Sequence, residues 1–234
     1  MTICVIPARG GSKRIPGKNI REFMGKPMIG WSIKAATEAR CFDRILVSTD
    51  DERIATIARA EGAEVPFLRD AALADDYTPT RPVIADLAER LGVSPDTPVC
   101  CLYATAPFVT SNDLKGGLKL LSDTMARFVV SVTTFPFPIQ RALRRSSTGA
   151  IEMMAPEHIT TRSQDLEEAW HDAGQFYWAH AESWCDQSAE IFSVGAHGLE
   201  LPRHRVQDID TEEDWARAEM LMKALLADES QAGH

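Results

Sequence analysis

The sequence predicts an α/β fold: a mostly parallel, doubly wound, Rossmann-like sheet with helices on both faces. Three observations carry that expectation. Strand-like and helix-like runs alternate through the first half of the chain, the order that builds βαβ units. The run "TPVCCLYAT" (97–105) is apolar without alternation, as a strand covered on both faces must be. Finally, the glycine-rich, cationic stretch "PARGGSKRIPGKN" (7–19) follows the first apolar run, where open α/β sheets bind ligands.

The elements read as follows. "TICVIPA" is the first strand, and "MIGWSIKAATEAR" is an amphipathic helix with Ile29, Ile33, Ala36 and Ala39 on one side. "RILVST" is the next strand, closed by Asp50 and Asp51, and "DERIATIARAEG" is a helix stopped at Gly62. "AEVPFLR" is a short extended piece. "RPVIADLAERLG" is a helix with Pro82 in its first turn and Gly92 at its end. "DLKGGLKLLSDT" is helical and "ARFVVSVTTF" is a strand.

From about residue 135 the βαβ alternation stops. Residues 135–178 are rich in aromatics, prolines and arginines, and are expected to form an insertion on a single domain spanning 1–234. This insertion is expected to build a substrate lid or a contact with a second copy of the chain, or both. "EIFSVGAHGLELP" supplies a further strand. The closing helix starts at Thr211, with Asp214 three residues on in a near capping box, and "DESQAGH" reads as a polar, frayed tail.

Composition narrows the function classes. With 25 basic and 34 acidic residues the formal charge is −9, a field that repels polyanions and argues against nucleic-acid and membrane-surface binding. An anionic ligand must therefore be held by a local cation cluster. The five cysteines, Cys4, Cys41, Cys100, Cys101 and Cys185, show no metal-ligand spacing and read as free thiols packed like small hydrophobes. No leader-like segment precedes the first strand, and no apolar run approaches the ~20 residues that span a bilayer, so a cytoplasmic location is expected.

Residues 7–19 are the first chemical motif. The stretch matches neither GxxxxGK[ST] nor GxGxxG. Gly10 and Gly11 let the backbone turn tightly and approach a ligand, while Arg9 and Lys18 offer charge suited to a triphosphate, the arginine in bidentate geometry. A second motif is "DID" at 208–210. In an extended segment Asp208 and Asp210 point to one side while Ile209 faces the core, so both carboxylates suit a hard cation such as Mg2+ beside a nucleotide. Alone, such a pair is as readily a solvated helix entry; with the loop it reads as a metal site. In the insertion, Arg162 and Gln164 could pair with a carboxylate, and Gln175, Phe176 and Tyr177 offer an amide and aromatic faces suited to a sugar ring.

"IPARGGSKRIPGKNI" followed by "GKPMIGWSI" resembles the N-terminal signature of the cytidylyltransferases that activate nonulosonic acids, the CMP-sialic acid synthetase group. "CLYATAPF", "FPFPIQRAL", "TRSQDLEEAWHDAGQFYW" and "QDIDTEEDW" resemble its pseudaminic acid branch. The resemblance implies that Arg9, Ser12, Lys18 and Asn19 form the CTP site on the backbone of Ala8, Gly10 and Gly11, with Arg69 and Thr78 nearby. Arg9, Lys18 and Asp210 would carry the catalysis. Tyr103 stands where sialate relatives have a glutamine that touches the sugar, which favours a differently substituted acceptor. CTP, a nonulosonic acid, Mg2+ and a homodimer are the implied partners. Sialic or legionaminic acid is the near alternative, the octulosonate of lipopolysaccharide a more distant one. A nucleotide-binding regulator without catalysis is the alternative from a different class.

Overall fold

A computed structural model describes residues 1–232. In chain order its elements are β1 (Ile3–Pro7), β2 (Glu22–Phe23), β3 (Lys26–Pro27), α1 (Met28–Ala39), β4 (Arg44–Ser48), α2 (Glu52–Ala60), α3 (Thr80–Arg90), β5 (Pro98–Leu102), α4 (Ser111–Thr124) and β6 (Phe128–Thr134). They continue with β7 (Leu143–Arg145), β8 (Ile151–Met153), β9 (Trp170–His180), α5 (Ala181–Cys185), β10 (Ala196–Glu200) and α6 (Glu212–Ala232).

Six strands form one sheet in the order β10-β6-β9-β5-β1-β4. β1 runs parallel to β4 and β5, and β10 runs parallel to β6. β9 is antiparallel to both β5 and β6, so the sheet is mostly parallel with one reversed strand near its centre. β2 pairs with β3, and β7 with β8, as two small hairpins.

Both faces are covered, as the unbroken apolar character of β5 requires. On one face Ile29 and Ile33 of α1, Ile54 of α2 and Leu114 of α4 pack on Cys4, Cys100 and Trp178. On the other, Ile84 and Leu87 of α3 and Trp184 of α5 pack on Val5, Cys101 and Tyr177. All five cysteines are free thiols. α4 lies so close to β9 that a Cβ on Gly117 would stand 2.5 Å from the Trp178 indole, well inside van der Waals contact.

β9 corrects the expected extent of the insertion. Residues 170–178 are not part of an appendage but a sheet strand, with Leu102 opposite Phe176 and Val130 opposite Tyr177. The strand bulges opposite Ser131, and the Ser131 hydroxyl accepts from the backbone N–H of Phe176 at 3.1 Å, satisfying a donor the disturbed ladder leaves over.

A third cluster lies off the sheet. Ile15, Phe23, Met28, Phe108, Ile209 and Trp215 are buried together. It seals the tip of the loop after β1 against the segment leading into α6. That helix begins with the capping box expected at Thr211: the Asp214 N–H donates to Thr211 Oγ1 at 3.2 Å, and the Thr211 N–H to Asp214 Oδ2 at 2.9 Å. The expected frayed tail is helical through Ala232; the two residues beyond, 233 and 234, lie outside the described residues.

Candidate active site

The loop after β1 is pinned at several points. The Ala8 N–H donates to the Ser48 carbonyl at 2.9 Å, and the Gly10 N–H donates to Asp50 Oδ1 at 3.0 Å. These two N–H groups are thus spent on the neighbouring β4 end rather than offered to a ligand. A Cβ at Gly10 would come within 2.8 Å of Asp51 Oδ2, so close backbone approach explains this glycine; at Gly11 it would meet nothing within 4 Å. The Asn19 side chain donates to the Arg9 carbonyl at 2.9 Å and closes the loop on itself. Fully buried Ile15 anchors its tip.

The pinned loop forms one wall of a cavity of about 550 Å³ at the C-terminal end of the parallel strands. Arg9, Ser12, Lys18 and Asn19 line it from the loop, Arg69 and Thr78 from the segment before α3, and Tyr103 from the end of β5. Asp210 lines it from the far end of the sequence. Most of its charge is already paired. Asp76 takes both Arg9 and Lys13 in ion pairs, and the Lys13 ammonium followed by the Arg9 guanidinium holds its carboxyl below the usual carboxylate range. Arg14 Nη2 lies 2.8 Å from Asp210 Oδ2, and Lys18 Nζ lies 3.2 Å from Asp210 Oδ1. Lys18 Nζ also donates to the Ile209 carbonyl at 2.6 Å.

Arg69 differs. Its side chain is only 4% exposed and stands 3.7 Å from Asp50, too far for a hydrogen bond, with Nε and Nη2 both unpartnered. Burial lowers its pKa, but a guanidinium stays charged. A buried cation with two unused donors on a cavity wall is a ready acceptor of anionic oxygen. Thr78, by contrast, gives its hydroxyl to Asp75 Oδ1 at 2.6 Å.

The DID segment behaves as its alternation predicts. Ile209 is buried against Trp215, leaving Asp208 and Asp210 on the outer side. Loss of solvent, and then the neighbouring Asp210 charge, push the Asp208 carboxyl above its ordinary value. A carboxyl whose proton affinity is raised by lost solvent and a second carboxylate beside it has the chemistry to take a divalent cation. Among the described residues no three His, Cys, Asp or Glu side chains converge as a metal cage. A hard cation held by two carboxylates takes the rest of its shell from water and other oxygens.

The sequence and the fold are similar to those of known proteins. The sequence model of the cytidylyltransferase family matches residues 3–230. The chain belongs to the cytidylyltransferase family. It is 42% identical over 223 residues, 94% of this chain and 96% of the relative, to the pseudaminic acid cytidylyltransferase of Campylobacter jejuni subsp. jejuni (serotype O:23/36, strain 81-176). It is 34% identical to the CMP-N,N'-diacetyllegionaminic acid synthase of Legionella pneumophila subsp. pneumophila (strain Philadelphia 1), over 94% of this chain and 96% of that one. Among solved structures, a CMP:2-keto-3-deoxy-manno-octonic acid synthetase complexed with CTP superposes with a TM-score of 0.70, covering 96% of this chain and 99% of that one; at 17% identity it shows the shared fold.

The expected acceptor residues of this cytidylyltransferase are not gathered together. Tyr103 lines the cavity. Phe176 is fully buried between the sheet and α4, so it is a core residue and offers no face to a sugar. Tyr177 is buried on the opposite face and donates to Asp172 Oδ2 at 2.5 Å. Gln175 is buried, donating to the Ala173 carbonyl at 3.1 Å while its Oε1 has no partner. Arg162 and Gln164 lie exposed on a turn that does not line the cavity. Sequence reasoning left Lys13, Arg14 and Thr80 out of the site. Lys13 and Arg14 were visible as loop cations, whereas Thr80 carries no local signal, since its place comes from the docking of α3.

Proposed function

We propose that the chain transfers CMP from CTP to the anomeric hydroxyl of pseudaminic acid, releasing pyrophosphate. One observation carries this reading: Arg9, Lys18 and Asp210 meet in one cavity, with buried, under-bonded Arg69 on its wall. The names of the relatives, at 42% identity over nearly the full chain, support the acceptor.

In this reaction the sugar oxygen forms a bond to the α-phosphorus, the bond from that phosphorus to the bridging oxygen breaks, and the hydroxyl proton passes to water. Little covalent chemistry falls to the protein, so positioning and charge neutralisation dominate. Arg9 and Lys18 face the phosphates and take up the charge that develops on the departing pyrophosphate. Arg69 supplies its unused donors to the nucleotide. Asp208 and Asp210 would hold Mg2+ with triphosphate oxygens and water; when bound, the ion polarises the α-phosphate.

The test is pyrophosphate release from CTP with pseudaminic, legionaminic, N-acetylneuraminic and octulosonic acids in turn. The highest kcat/KM is expected with pseudaminic acid. A preference for another sugar overturns the acceptor, and no release with any sugar leaves only a nucleotide-binding protein. The reading also makes the protein a cytoplasmic homodimer. Phe137, Leu143, Ile151 and Ile159 are exposed on the arm outside the sheet, an apolar surface suited to a second copy, and five unpaired cysteines suit a reducing compartment. No helix among the described residues is long and apolar enough to cross a membrane. Sedimentation should give the mass of two chains, and a monomer at micromolar concentration contradicts the pairing.

A further inference from the structure

The end of β4 and the two residues after it hold two cavity walls that come from distant parts of the chain. The loop after β1 docks there through the Ala8 N–H, 2.9 Å from the Ser48 carbonyl, and the Gly10 N–H, 3.0 Å from Asp50 Oδ1. Arg69 docks there too. Its N–H donates to the Thr49 carbonyl at 2.7 Å, and its Nη2 lies 3.7 Å from the same Asp50 Oδ1. Asp50 itself does not line the cavity, whereas Arg9, Ser12 and Arg69 do. Among the described residues, Asp50 is the carboxylate that pairs with Arg69.

Gly10 needs only an acceptor, which a neutral amide would supply as well. The negative charge matters to Arg69, because a guanidinium only 4% exposed is costly without a counter-charge. Yet the carboxylate, with Oδ1 held on Gly10, stays outside hydrogen-bond reach of the guanidinium. Nε and Nη2 of Arg69 are left without partners. Arg9 is the contrast, since Asp76 takes its Nη1 directly. At Arg69 the charge is balanced while the donors stay free for a ligand.

Resting on the function proposed above, we infer that Asp50 is a positioning residue of the nucleotide site. Tethered to Gly10, it balances the charge of Arg69 from beyond hydrogen-bond reach, which keeps the vacant site stable and limits how tightly the anionic nucleotide is held.

Asp50→Asn removes the charge and keeps an oxygen for Gly10, so it separates this role from that of a loop tether. Arg69 is then buried without a counter-charge, and Tm should fall by about 5 °C. CTP should bind about five-fold more tightly by calorimetric titration, the effect of removing one like charge a few ångströms from a bound anion. Arg69→Met removes the cation that Asp50 serves, and Asp50, 28% exposed, is then balanced by water. Adding Asp50→Asn to Arg69→Met should therefore lower Tm no further. Should Asp50→Asn alone not fold, the double variant still decides the matter, since it should fold with the Tm of Arg69→Met. An unchanged Tm in Asp50→Asn, CTP binding that is unchanged or weaker, or additive Tm losses in the double variant overturns the inference while leaving the enzyme reading intact. No CTP binding by the wild-type chain overturns the enzyme reading and the inference with it.

Discussion

Lys18 and Asp210 are 192 positions apart in the chain, yet Lys18 Nζ stands 3.2 Å from Asp210 Oδ1. They meet because Ile15 and Ile209, their near neighbours in sequence, are buried in the same cluster. The packing that seals the loop tip is thus what assembles cation and carboxylate into one site, linking the cavity's chemistry to an apolar contact outside the sheet.

Ile209→Ala should therefore act on both stability and activity. Truncating a fully buried isoleucine costs about 2–5 kcal/mol. The displaced carboxylates should also lower kcat at temperatures where the variant is still folded. Ile209→Val, which keeps most of the volume, should cost about 0.5–1.5 kcal/mol and retain activity. Urea unfolding and turnover on the same samples check this; an Ala variant with full kcat would break the link.

Asp76 occupies the cations that a triphosphate needs. A nucleotide must compete with it, so Asp76→Asn should tighten CTP binding about two- to five-fold, as expected for exposed ion pairs. Calorimetric titration of CTP into the two proteins decides it. Weaker binding by the variant would mean that Asp76 contacts the ligand itself.

Asp113 ties the N-terminus of α4 to Arg205, three residues ahead of Asp208, at 2.9 Å through Arg205 Nη2. Burial alone would raise its pKa, but hydrogen bonds from Arg205 and Thr110 outweigh burial and hold it below the ordinary value. A depressed folded pKa contributes stability above the unfolded value, about 4, that disappears as pH falls through the folded one. Asp113→Asn should thus lose about 1–3 kcal/mol at pH 7, and the gap to wild type should narrow below about pH 4. Denaturant unfolding across that range reads the gap directly; a constant difference would exclude the ion pair as its source.

Much of this was legible in the sequence, because it rests on local signals. Gly10, the loop cations and the Thr211–Asp214 cap act within a few residues of themselves, and the βαβ alternation is visible in apolar periodicity. What was not legible depends on pairing between distant segments. "GQFYW" reads as a ligand platform until β9 is seen between β5 and β6, where Phe176 and Trp178 face one helix layer and Tyr177 the other. Asp76 gains its ion-pair partners, and Thr80 its place on the cavity wall, only from what tertiary packing sets opposite them. An exposed aspartate in a loop carries no mark of the lysine it will meet.

The proposed nucleotidyl-transfer site joins the loop cations to the DID carboxylates through Asp210. Pyrophosphate release by Asp210→Ala, measured beside wild type with CTP, Mg2+ and pseudaminic acid, tests it most directly. Its kcat should fall by about 10²- to 10³-fold, with Tm within a few degrees of wild type. An unchanged rate in a folded Asp210→Ala protein would contradict it.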